Sequence, residues 1–138
     1  MDKQIQYCNP EVWGGIECTI NRVKNNFYDQ LQYSGHYYRE DDIEHIARLG
    51  IKKLRYPVLW EKHQPTANET IDWSWTGKQL SLIKEKNIDV IAGLVHHGSG
   101  PSWTSLADAS FPYHLAGYAK KLQSNFPGLT IILPLMNP

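Results

Sequence analysis

The chain has 138 residues, 41% hydrophobic and 20% charged, which suits one globular domain with a real core and is too short for two. Fourteen basic residues balance fourteen acidic ones. That balance, with no basic tract anywhere, argues against a nucleic-acid partner or a charged membrane surface, since both need a concentrated positive field.

From the N-terminus, Met1-Asp2-Lys3-Gln4-Ile5-Gln6 lacks the apolar stretch of a secretory signal, and no later run approaches the ~20 residues of a membrane span. Cys8 and Cys18 are too few for a disulfide framework; two reduced thiols fit the cytoplasmic location expected here, although a bridge between them stays open. A first buried strand is expected over Val12–Thr19, followed by a long loop over Asn21–Glu40. Asp41 and Asp42 open a helix that buries Ile43, Ile46 and Ala47 and stops at Gly50. A second strand covers Lys52–Leu59. A second helix runs from Ser74 to Lys86, with Leu80, Ile83 and, at the margin of the stripe, Leu82 inward, and Asn87 as terminator. A third strand is expected over Asp89–Val95, with a long loop over His96–Phe111. The third helix, Tyr113–Phe126, places Leu115, Tyr118, Ala119, Leu122 and Phe126 at helical spacing before Pro127-Gly128. A fourth strand covers Leu129–Leu135. Pro57 and Pro134 belong at the ends of their strands, because proline donates no ladder hydrogen bond.

Strands recurring at such intervals between helices predict an α/β fold of parallel (βα) repeats, about half of a TIM (β/α)8 barrel with strands 1–4, as one domain over residues 1–138. The loops that follow strands are the long ones, and in barrels those loops carry function. An open nucleotide-binding sheet is the weaker choice, because Gly14-Gly15 lie early in the first strand with no GxGxxG after them. Four strands cannot close a barrel, so open sheet edges are expected to invite self-association.

The strand ends supply the candidate site residues: Glu17 and Asn21, Arg55, His96 and His97, and Asn137. Arg55 lies inside an apolar strand and needs a carboxylate partner if buried; Glu17 is the nearest, so a structural Glu17–Arg55 pair and a functional Arg55 are both open. His96 and His97 point to opposite faces of an extended chain and make a poor chelate, with no HxxxH or CxxC spacing to complete one, so no metal is expected. No cofactor motif is present. Five Trp and eight Tyr are a high count, open to core packing or to stacking on sugar faces.

Several of these segments resemble glycoside hydrolase family 1. Trp13-Gly14-Gly15 is similar to its WG(A/T)A opening. Asp41-Asp42-Ile43, Leu49-Gly50-Ile51 and Leu54-Arg55-Tyr56-Pro57-Val58-Leu59-Trp60 resemble its D-I…LG…YRFSISW repeat, and Leu94-Val95-His96-His97 its LYHW segment. Pro134-Leu135-Met136-Asn137-Pro138 stands where that family reads (T)xNEP. WGGIECTINRV, RYPVLWE and GLVHHGSGP further resemble a bacterial branch in which such a barrel precedes a dTDP-4-dehydrorhamnose reductase-like domain.

The resemblance implies a carbohydrate ligand, with His96 hydrogen-bonding the sugar and Arg55 holding the nucleophilic carboxylate ionised. It aligns Asn21 with a sugar-binding glutamine and puts His97 in place of a tryptophan. Asn137 occupies the acid/base position. Retaining glycosidases work with two carboxyl groups about 5–5.5 Å apart, and asparagine cannot deliver the proton. The chain is therefore expected to be a fragment or degenerate copy of a β-glycosidase-like hydrolase, catalytically incomplete as given. The alternative is a non-catalytic sugar-binding module, using His96, Asn21, Trp60 and Trp103, or the N-terminal module of a dTDP-4-dehydrorhamnose reductase-type sugar-nucleotide protein.

Overall fold

A computed structural model describes residues 10–16, 19–24, 26–96 and 100–132. Cys8 and Cys18 lie outside the described residues, as does Pro134. Four strands form one parallel sheet: β1 (Trp13–Gly15), β4 (Lys53–Pro57), β5 (Asp89–Gly93) and β6 (Thr130–Ile132), in the spatial order β1-β4-β5-β6. Between β1 and β4 stand β2 (Ile20–Val23), β3 (Asn26–Asp29), α1 (Gln30–Ser34) and α2 (Asp42–Arg48). After β4 come α3 (Trp60–His63) and α4 (Ser74–Glu85), and α5 (Phe111–Asn125) connects β5 to β6. Each sheet strand except the first thus follows a helix, and neighbours in chain order are neighbours in space.

Alternation along the strands sorts residues into two faces. On β4, Leu54 and Tyr56 point to the helices and are 1% and 0% exposed. They pack with Ile43, Ile51, Leu80, Ile83, Ile88 and Val90 into one core cluster. A second cluster joins Val58, Trp60, Ala92 and Leu94 to Phe111, Tyr118 and Leu122. The opposite face, carrying Lys53 and Arg55, is the one a barrel would turn inward. Helix α2 ends where Gly50 takes φ +74°, and α4 ends where Asn87 takes φ 56°, a conformation asparagine tolerates better than most residues.

Two expectations are corrected. The segment 21–40 is no plain loop: β2 and β3 pair antiparallel as a hairpin (Ile20↔Asp29, Val23↔Asn26), and α1 follows directly, its first turn capped by the Asp29 carboxylate. The second strand does not reach Leu59; it stops at Pro57 and the chain turns into α3, while the Val58 and Trp60 amides still bond the Gly93 and Leu94 carbonyls at 2.8 and 3.1 Å. No helix among the described residues is long and apolar enough to cross a membrane.

Candidate functional site

Parallel strands deliver the residues at their C-terminal ends to one rim. Arg55, near the end of β4, and His96, just past β5, line one small cavity there with Ile16, Leu59 and Gly93. Gly15 pairs with Arg55 in the sheet register, and Pro57 with Gly93. A Cβ on Gly93 would stand 4.0 Å from Arg55 Nε and one on Gly15 3.8 Å from Arg55 Cβ, both at ordinary contact distance, so Arg55 lies between these two positions on the flanking strands. The Ile16 amide donates to the Arg55 carbonyl at 2.9 Å, carrying the chain across the rim.

The hairpin is tied to the same place. Thr19, 3% exposed, donates its hydroxyl to the His96 carbonyl at 2.6 Å, and its amide donates to Gln30 Oε1 at 2.9 Å. Asn21 sits on β2, exposed and outside the residues that line the cavity. Glu17, His97 and Asn137 lie outside the described residues. Of the predicted set, then, the fold brings Arg55 and His96 together and sets Asn21 to one side. Trp60 is corrected: it is 0% exposed, clasped by Trp103, Phe111 and Tyr118, with its Nε1–H on Gln64 Oε1 at 3.1 Å, so no sugar can stack on it.

Sequence reasoning missed two ionisable groups in α3. Glu61 is 7% exposed; Oε1 accepts the Gly100 amide, and Oε2 has no hydrogen-bond partner. Burial pushes its carboxyl up to about 7, the nearby Asp29 charge adds to the rise, and backbone N–H donors only partly oppose it. His63, 6% exposed, lies between Thr76 Oγ1 on Nε2 and Tyr118 Oη on Nδ1, the latter at 2.7 Å. Burial presses this imidazole down to about 4. Since the Tyr118 hydroxyl donates to the Val58 carbonyl at 3.3 Å, one direction satisfies the whole chain: Thr76 O–H to Nε2, Nδ1–H to Tyr118, Tyr118 O–H to Val58. A carboxyl just past the end of a barrel strand was the available signal for Glu61.

A second relay lies on the helix side. Tyr56 Oη meets His36 Nε2 at 2.7 Å, His36 Nδ1 meets Asp42 Oδ2 at 2.7 Å, and Arg39 clamps both Asp42 oxygens at 2.8 and 3.0 Å. Arg39 first, then His36, hold the Asp42 carboxyl below its usual range. Asp41, Asp42 and His45 bring ligand atoms within 4.8 Å of one another, but Asp42 is already committed to Arg39 and His36. This cluster therefore makes a poor metal seat.

Four parallel strands in sequential order, with helices against one face and the long loops at one rim, are the arrangement that solved structures can place. Three of these structures are a β-glucosidase from Exiguobacterium marinum (TM-score 0.64, 21% identity, 72% of this chain and 24% of that one), an exo-β-1,4-mannosidase from Opitutaceae bacterium strain TAV5 (0.64, 19%, 89% and 24%), and the Pseudomonas stutzeri endoglucanase Cel5A in complex with cellobiose (0.56, 22%, 72% and 32%). The chain has the fold of half a (β/α)8 barrel. This half barrel spans about a quarter to a third of the length of these three solved chains. No protein-family model and no curated protein matches it.

Proposed function

We propose that this half barrel derives from a β-glycosidase-like hydrolase of O-glycosyl bonds of the family 1 type, that it is catalytically incomplete as given, and that it retains a sugar-contacting rim. The observation that carries the reading is the meeting of Arg55 and His96 in one cavity at the ends of adjacent strands, where the family resemblance gives His96 a sugar hydroxyl and Arg55 the nucleophilic carboxylate. The cellobiose complex of the matched endoglucanase supports a carbohydrate as the ligand class. Asn137, in place of the acid/base glutamate, supports the absence of turnover, because an amide can hold a sugar hydroxyl but not protonate a leaving group.

Two measurements on the full chain test this. Incubation with p-nitrophenyl β-glycosides should release nothing above the buffer rate, and turnover abolished by one carboxylate substitution would overturn the claim. Glucose titrated to millimolar concentration should shift the His96 imidazole resonances saturably. Loss of that response in Arg55→Ala supports the rim assignment, and an unchanged response refutes it.

A further inference from the structure

The two edges of the parallel sheet lack the guards that edge strands usually carry. Lysine, other charges and proline are the common ones. The β1 edge reads Val12-Trp13-Gly14-Gly15-Ile16 and the β6 edge Leu129-Thr130-Ile131-Ile132, with none of these in either. Val12 and Trp13 are 70% and 55% exposed. The two faces differ as well. Leu54, Tyr56, Val90 and Ala92, turned to the helices, are at most 8% exposed, whereas Trp13, Asp89 and Thr130 on the other face stand in solvent.

What covers these edges has to come from another chain. The pairings Trp13↔Lys53, Lys53↔Asp89 and Ile91↔Thr130 show that each further strand takes about 40 residues of sequence. Within these 138 residues only 1–9 and 133–138 lie beyond the described ends, far short of one such unit. A second copy brings four strands of matching number and curvature. A two-fold axis across an edge would pair β1 with β1 antiparallel and leave β6 open. An axis along the strands lays each β6 parallel to the other β1 and leaves no edge, because each copy supplies half the circle.

We propose that two copies of this chain close into one eight-stranded barrel about such an axis. Gly15, Arg55, Ile91 and Thr130 form one row across the sheet. A (β/α)8 barrel returns a row to its first strand displaced by about eight residues, or about four for each half. The row already falls back from the rim, since Gly15 ends β1 while Arg55 and Ile91 stop two residues short of the ends of β4 and β5. Thr130 therefore comes opposite Glu11 of the second copy. The rim is then shared, with one Arg55–His96 cavity on each side, and the β2–β3 hairpin stands beside the end of the other copy's β6. None of this depends on the sugar-binding reading.

Multi-angle light scattering on the full chain should show a mass that rises with concentration to a plateau at two chains. For the register, Glu11→Cys and Thr130→Cys are made separately, each with Cys8→Ser and Cys18→Ser, mixed dilute, concentrated and treated with a short bismaleimide. Links should join the two variants to each other and neither to itself. Along β1 the Ile16 N–H turns in to the Arg55 carbonyl, so by alternation the Trp13 N–H points to the free edge. Trp13→Pro should therefore dimerise at least about tenfold more weakly than Trp13→Ala, which keeps that donor. A monomer at every concentration, growth past two chains, self-linking of either variant, or equal dimerisation of folded Trp13→Pro and Trp13→Ala overturns the closed pair. Should Trp13→Pro fail to fold, the pattern of links decides alone.

Discussion

Glu61 and His63 stand two residues apart in α3, both buried, with acidities displaced in opposite directions. For Glu61 the folded value near 7 lies above the ordinary 4.5, so the fold keeps a proton that the unfolded chain releases. Its contribution is whole below pH 4.5 and is lost as pH rises through 7, by up to about 3 kcal/mol. For His63 the folded value near 4 lies below 6.5, so its contribution is whole above pH 6.5 and is lost as pH falls through 4, by a similar amount. Between about pH 4.5 and 6.5 the two proton balances cancel. Urea unfolding across that window should therefore show little slope from this helix in the native chain. Glu61→Gln removes one side of the balance, so the stability of the native chain relative to that variant should fall by roughly 3 kcal/mol from pH 4.5 to 7. Parallel pH profiles for the two proteins would mean that folding does not raise the Glu61 carboxyl. In the sequence, Glu61 carries only its place just past a strand as a signal, and His63 carries none. Their burial comes from Gly100 and from Tyr118, which lie 39 and 55 residues along the chain.

At the scale of elements, length decided what could be read. Helices α4 and α5, at 12 and 15 residues, show a full apolar stripe, and the expected inward residues Leu80, Ile83, Tyr118 and Leu122 are buried. Helices α1 and α3, at 5 and 4 residues, are too short for a period to emerge: α1 falls inside the expected loop Asn21–Glu40, and α3 lies just past the expected strand. Trp60 was misjudged for the same reason: its ring is covered by Trp103 and α5, which no local pattern announces. The link between α3 and α5 also gives a test. Tyr118→Phe keeps the ring among Trp60, Trp73 and His63 but removes the acceptor for the His63 Nδ1–H, leaving a buried donor unpaired. Thermal or urea unfolding should register a loss of about 1–3 kcal/mol. An unchanged midpoint would show that the relay through Tyr118 does not hold α5 against α3.

For the whole molecule the decisive fact is that the sheet is open. Among the described residues β1 pairs only with β4 and β6 only with β5, so each leaves one side of its backbone without a ladder partner. The face that a closed barrel would fill carries Lys53, Arg55 and the exposed Trp13, whose ring lies 5.2 Å beneath the Lys53 ammonium. In multi-angle light scattering the full chain should run as dimers or larger species whose fraction grows with concentration. A concentration-independent monomer with a sharp unfolding transition would show that these edges are tolerated in water.

The sheet register has one more consequence, for how the chain finds this arrangement. Trp13 pairs with Lys53, Lys53 with Asp89 and Ile91 with Thr130, so the three pairings span 40, 36 and 39 residues. Each ladder must close a loop of nearly the same size before its first hydrogen bond forms. Closure entropy grows only with the logarithm of loop length and therefore gives none of the three a head start. What can order the folding events is the intervening helix, which shortens the effective loop wherever it forms early, and among these crossovers α4 and α5 are the long ones.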